Sequence, residues 1–170
     1  MTPVLRSERL NLSPYAATDE EQFVSLLQDE ARGRWFGDGT QSVEQTHALF
    51  RRIFGLVYAE SQFPIWAVRH EGRYIGHAEI KPSPESWLDG HEIVCGLFRG
   101  SWGMGLGTEL GQLLTSYGHE TLALSEVHAT VDSENIAPIT VLKRLGFTQG
   151  RTVAEDNGRT TLLMTSVQLS

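Results

Sequence analysis

Residues Glu92 to Tyr117, EIVCGLFRGSWGMGLGTELGQLLTSY, change character twice, and the fold follows from how they are read. Glu92 to Phe98 is a short apolar run with β-branched residues, which predicts a buried strand. Gly100, Gly103, Gly105 and Gly107 then fall within eight positions, too dense for a helix interior or a packed strand. From Leu106 the pattern turns helical, with Leu106, Leu110, Leu113, Leu114 and Tyr117 at spacings of four and three. A strand, a glycine-rich turn and a helix start, in that order, make a place for an anion. Backbone N–H groups converge there, side chains are absent, and the positive end of the helix dipole faces the gap. The stretch therefore predicts a site for a phosphate-bearing molecule.

On the N-terminal side, Leu10 and Leu12 alternate with polar residues until Pro14, a short strand. Thr18 with Glu21 reads as a capping box, and Phe23, Leu26 and Leu27 give that helix an apolar face. Arg32 to Thr40 holds three glycines and reads as a loop carrying Trp35 and Phe36. Ser42 with Gln45 caps a second helix whose stripe is Leu49, Phe50, Ile53, Phe54, Val57 and Tyr58. Pro64 to Val68 and Tyr74 to Ile80 read as strands joined at Glu71–Gly72, and Lys81 to Gly90 as a loop. On the C-terminal side come a strand at Val127 to Val131 and a helix with Pro138 in its first turn and Gly146 as its stop. Two last strands, Gln149 to Ala154 and Thr161 to Gln168, flank Asn157–Gly158. The order β-α-α-β-β-β-α-β-α-β-β implies a mixed sheet with helices on its faces.

The 170 residues suit a single domain, residues 1–170, with a real core. The formal charge of 14 minus 21, or −7, argues against a general nucleic-acid binder and suits a cationic substrate. No apolar run approaches the roughly 18 residues of a membrane span, and the N-terminus lacks a signal-peptide layout. One cysteine, Cys95, excludes an intramolecular disulfide and suits a reducing cytoplasm. Within its apolar strand Cys95 reads as a small buried hydrophobe, with a nucleophilic role as the lesser reading. His47, His70, His91, His119 and His128 show no ligand spacing such as H-x-x-x-H, so no metal is expected.

Three phosphate templates compete for the glycine loop. A P-loop needs a Lys after its last glycine, and Thr108 and Glu109 stand there instead. A dinucleotide fold wants G-x-G-x-x-G early in a parallel βαβ run, whereas Gly103-x-Gly105-x-Gly107 lies past mid-chain among hairpins. A nicotinamide-dependent oxidoreductase is thus the weaker reading. The third template fits. Trp102-Gly103-Met104-Gly105-Leu106-Gly107-Thr108-Glu109 resembles the pyrophosphate loop of the GNAT superfamily of acyl-CoA-dependent N-acetyltransferases. The likeness is strongest to the branch acting on ribosomal-protein N-termini. Leu5 to Leu12, Glu92-Ile93, and Asn135 followed by Leu145-Gly146-Phe147 agree in order and spacing, so the resemblance spans about residues 5 to 168.

That resemblance implies a mixed α+β GNAT fold: a mostly antiparallel, seven-stranded sheet splayed in the middle, with about four helices. It implies a cytoplasmic enzyme moving an acetyl group from acetyl-CoA to a primary amine, a protein N-terminus or a small molecule. Attack would be direct, within a ternary complex. Homodimers are frequent in the family. Gly103 to Thr108 would hold the pyrophosphate, Cys95, Gly96, Leu97 and Phe98 would pair with the pantetheine arm, and Asn135 would contact that arm. Glu92 is the first choice of general base, then Glu79, then His77. Trp35 and Phe36 would line an acceptor pocket or plug the core. Against this, Trp102 stands where the superfamily usually has Gln or Arg, and the tyrosine acid of many members falls on Leu142. A binding module that senses acyl-CoA without turnover is therefore the rival reading. For Glu92, Glu79 and His77, a solvated or salt-bridged role competes with catalysis.

Overall fold

The opening strand breaks in two at Ser7. In the computed structural model, which describes residues 1–29 and 41–169, the Ser7 N–H donates to the Leu10 carbonyl at 3.0 Å. Its hydroxyl accepts from the Leu10 N–H at 3.2 Å. This turn separates β1 (Leu5–Arg6) from β2 (Leu10–Ser13), its antiparallel neighbour. Among the described residues the sheet therefore has eight strands rather than seven.

The rest keeps the expected order. A 3-10 turn (Ala17–Asp19) leads into α1 (Glu20–Gln28), and α2 (Val43–Arg52) runs into a wider π turn (Ile53–Tyr58). Then come β3 (Ile65–His70), β4 (Arg73–Pro82), β5 (His91–Leu97), α3 (Leu106–Ser116) and β6 (Glu126–Asp132). α4 (Ile136–Arg144), β7 (Thr148–Ala154) and β8 (Thr160–Val167) complete the chain. The sheet order is β1-β2-β3-β4-β5-β6-β8-β7, mostly antiparallel, with β5 and β6 parallel. This is the expected mixed α+β arrangement with a mostly antiparallel sheet.

Several local expectations change. Ser42 and Gln45 form the expected reciprocal box, at 3.1 and 2.9 Å. Thr18 and Glu21 do not. The first turn starts two residues earlier, and Asp19 reaches back to the Ala16 N–H at 2.9 Å while both its oxygens accept from Arg69 at 2.8 Å. Leu49 belongs to the α2 stripe in spacing but is exposed. Trp35, Phe36 and the whole of the loop assigned to them, 32–40, lie outside the described residues.

The chain divides into two compact units, Met1–Glu79 with Cys95–Gly107, and Ile80–Val94 with Thr108–Ser170. The first centres on a core of Tyr15, Phe23, Leu26, Phe50, Val57 and Ile65. Here Tyr15 meets Phe23 and Phe50 edge-on, each with ring centroids 5.6 Å away. Gly76 is required in this unit: a Cβ there would lie 2.2 Å from the Gly96 carbonyl oxygen. The second unit buries Leu110, Leu114, Val127, Leu142, Phe147 and Met164. Its Gly111 permits a close approach, since a Cβ would stand 2.5 Å from Leu145 Cδ1.

Candidate functional site

The glycine loop is built by turn geometry. After β5 a 3-10 turn (Arg99–Ser101) is closed by Ser101 N–H to Phe98 O (2.9 Å) and Trp102 N–H to Arg99 O (3.0 Å). Gly103 (φ +80°) and Gly105 (φ +76°) then take left-handed backbone, which favours glycine, and α3 starts at Leu106. At Gly100, Gly103 and Gly107 an added Cβ would meet nothing within 4 Å. These glycines therefore face open space, and a ligand could approach the backbone closely. Two side chains brace the loop. The Trp102 indole N–H donates to the Leu97 carbonyl at 3.0 Å, and Arg9, heading β2, donates to the Met104 carbonyl at 2.7 Å. Arg99 lies 5.6 Å over the Trp102 ring. A bare loop, a helix N-terminus and nearby cations suit a pyrophosphate.

The strand before the loop has two distinct edges. The Phe98 N–H donates to Ile75 O at 2.8 Å, so it already has a partner on β4. Alternation turns the Leu97 peptide groups the other way, where Leu97 O meets Trp102. Cys95 is exposed, not buried as its apolar neighbours suggested, although Gly96 and Leu97 beside it are buried.

Glu79 and His77 share one face of β4. His77 is 2% exposed, with Nδ1 2.7 Å from the Tyr15 hydroxyl and Nε2 2.8 Å from Glu79 Oε1. The Tyr15 hydroxyl is also 2.8 Å from that of Tyr74. Burial lifts Tyr15 well above the ordinary phenol value, as it does Tyr74, while Tyr58 is pushed up to about 12. All three stay phenols at neutral pH.

Glu92 belongs to the second unit. It is 4% exposed and stands opposite His128 in the β5–β6 register. Its Oε2 accepts from the Ser83 hydroxyl at 3.1 Å and from Thr130 at 3.3 Å. Burial raises its carboxyl above the usual range; the Ser83 bond, the Lys81 charge and the Thr130 bond pull it only partway back. A carboxylate so raised holds a proton more readily than a free one, which suits a general base. In the same unit Asn135 precedes α4, half-buried, with its N–H on Asp132 O at 2.9 Å. Thr108, half-buried, lies in the first turn of α3, and Leu142 is buried.

Sequence reading did not find Tyr15, Tyr74, Ser83 or Thr130, which act through partners distant along the chain. Among the described residues, no group of three His, Cys, Asp or Glu side chains could hold a metal ion. No described helix is long and apolar enough to cross a membrane.

Comparison with known proteins agrees with this geometry. Residues 9–148 match the model described as an acetyltransferase (GNAT) domain. A protein of Bacillus subtilis (strain 168) named uncharacterized N-acetyltransferase YoaA is 27% identical over 154 residues, covering 86% of this chain and 84% of that protein. Among solved structures, a GNAT-family acetyltransferase from Bacillus anthracis superposes with a TM-score of 0.80 at 17% identity, over 97% of this chain and 98% of that one. RimL, a ribosomal-protein α-N-acetyltransferase solved in complex with coenzyme A, gives 0.80 at 15% identity, again over 97% and 98%. At these identities the structural likeness is one of fold.

Proposed function

Because the chain belongs to the GNAT acetyltransferase family, we propose that it moves an acetyl group from acetyl-CoA to a primary amine, by direct attack in a ternary complex. The observation that carries this is the loop from Arg99 to Gly107: two left-handed glycines and open space over the backbone at a helix start. Bound acetyl-CoA supplies a thioester whose acetyl group passes to nitrogen while sulfur leaves as the thiolate, which takes its proton from water. N–H groups from Gly103 to Thr108 hold the pyrophosphate, and Asn135 contacts the pantetheine arm. The Leu97 N–H, on the edge of β5 away from Ile75, polarises the thioester carbonyl. Glu92 takes the proton that nitrogen loses as it attacks, and its raised affinity for a proton fits that task. The acceptor is a protein N-terminus, as for the ribosomal-protein acetyltransferases of this fold, or a small amine.

The test is release of coenzyme A thiol from acetyl-CoA across a panel of amines and N-terminal peptides. Acceptor-dependent release supports the enzyme. Leucine in place of the usual tyrosine acid, buried at position 142, favours the rival of a silent acyl-CoA sensor. Tight cofactor binding with no release on any acceptor would establish that rival instead. Thermal-shift competition between acetyl-CoA and NAD excludes the nicotinamide reading if only the former raises the melting temperature.

A further inference from the structure

Arg9 and the glycine loop belong to the same compact unit, though they are distant in sequence. A tight turn sets the direction of Arg9: the Ser7 N–H donates to Leu10 O at 3.0 Å, and the Leu10 N–H returns to the Ser7 hydroxyl at 3.2 Å. From that turn Nη1 of Arg9 donates to the Met104 carbonyl at 2.7 Å. Nη2 lies 3.4 Å from where a Gly105 Cβ would stand. The guanidinium therefore lies along the peptide that joins Met104 to Gly105. This bond is exposed. Water satisfies such a carbonyl nearly as well, so the contact adds little to folding.

What the bond does fix is direction. A trans peptide is planar, so its N–H points opposite to its C=O. With the Met104 carbonyl drawn to Arg9, the Gly105 N–H is turned away from Arg9. Gly103 (φ +80°) and Gly105 (φ +76°) are left-handed, and Met104 between them is not. Backbone that alternates in this way gathers successive N–H groups into a concavity suited to an anion. A cation on the carbonyl also polarises the peptide, which makes its N–H a stronger donor. On the other side of Gly103 the Trp102 indole holds Leu97 O at 3.0 Å. The loop is thus pinned on both sides of Gly103.

We propose that Arg9 is a positioning residue for the coenzyme diphosphate: through the Met104 carbonyl it orients and polarises the Gly105 N–H, which donates to a phosphate oxygen. The inference deepens the acetyl-CoA reading and rests on it. Arg9 acts on the diphosphate end of the ligand and not on the thiol arm. A loop already held in its binding shape spares the complex the cost of ordering it. The Ser7 turn, which divides the opening strand, acquires a task as well: it aims Arg9 at the loop.

The experiment titrates coenzyme A, and separately pantetheine, into wild type, Arg9→Met and Arg9→Lys, each to saturation and well below the melting temperature. Pantetheine has the same thiol arm without the diphosphate. Methionine removes the charge and the donors, whereas lysine restores a charged donor for the single bond to Met104 O. Arg9→Met is expected to bind coenzyme A about tenfold more weakly, the scale of one weakened bond to a charged group, with pantetheine affinity unchanged. Arg9→Lys should recover part of that loss. Arg9 is exposed, so both variants fold. A residue that only braced the fold would lower the melting temperature and leave the two affinities in their wild-type ratio. Unchanged coenzyme A affinity in Arg9→Met, an equal loss for pantetheine, or a lysine variant no better than the methionine one overturns the proposal. Wild type that does not bind coenzyme A refutes the acetyl-CoA reading itself, and this proposal falls with it.

Discussion

Gly107→Ala separates what the glycine loop does for the fold from what it does for a ligand. Gly107 is the second residue of α3, and an added Cβ meets nothing within 4 Å. The substitution introduces no clash. It removes backbone freedom from the unfolded chain, so the apo protein gains about 0.5–1 kcal/mol. For a chain of this length that is a rise in melting temperature of roughly 1–4 °C. The same methyl group fills space beside the N–H groups at the helix start. Losing one charge-assisted hydrogen bond to phosphate costs about 1.5–3 kcal/mol, which weakens coenzyme A binding roughly tenfold to a hundredfold. The assay is thermal unfolding with and without coenzyme A, paired with calorimetric titration. Gly107→Ala should melt higher alone and gain less from the ligand. Gly103→Ala forms the complement: at φ +80° the alanine is strained by about 1–2 kcal/mol, so it melts lower alone and also binds weakly. Wild-type affinity in Gly107→Ala would show that no phosphate approaches this backbone.

Other perturbations carry equally definite outcomes. Glu92→Gln should lower kcat about 10²-fold or more while leaving cofactor affinity intact; unchanged turnover would remove Glu92 from the chemistry. The same variant tests stability against pH. The folded protein holds the Glu92 proton more tightly than the unfolded chain, so wild-type stability falls as pH rises from the ordinary value of 4.5 through the raised one. Glu92→Gln should lack that part of the slope, and parallel denaturation curves across the window would contradict it. His128 works in the other direction. Burial lowers it, with the Glu126 charge opposing, so the unfolded chain binds the proton first and stability drops as pH falls through 6.5. His128→Gln should flatten that drop in urea titrations between pH 7 and 5, and an unaltered slope counts against it. Gly76→Ala drives a methyl group to 2.2 Å from the Gly96 oxygen and 2.7 Å from Leu97 Cδ2. It should cost about 1–3 kcal/mol or more, and an unchanged melting temperature would refute the close approach.

What could be read in advance was local. Glycine spacing, helical stripes and the Ser42–Gln45 box depend on neighbours a few residues away, and they gave the element order and the glycine-rich turn before α3. What escaped depends on distant partners. Nothing near Pro14 marks Tyr15 as the partner of a histidine 62 residues on. Nothing in the loop Lys81 to Gly90 shows that Ser83 turns to Glu92, or that Thr130, 38 residues beyond Glu92, does the same. The apolar run around Cys95 reads as buried throughout because composition does not say which single position of a strand stays uncovered. The Ser7 turn was missed for a smaller reason: a serine between two short strands leaves no glycine or proline as a signal.

The bond from Arg9 to the Met104 carbonyl joins residues 95 apart in sequence. Closing a loop of that length costs entropy that only later contacts repay, and distant pairings of this kind form slowly. Helix α3 and the turns around Gly103 depend on near neighbours and need not wait for it. The brace on the glycine loop does wait, until the first strands have joined the sheet. Competence to bind should therefore be among the last properties acquired during refolding, lagging the recovery of helical signal. It should also be among the first lost when the β1–β2 edge frays, well before the protein as a whole unfolds.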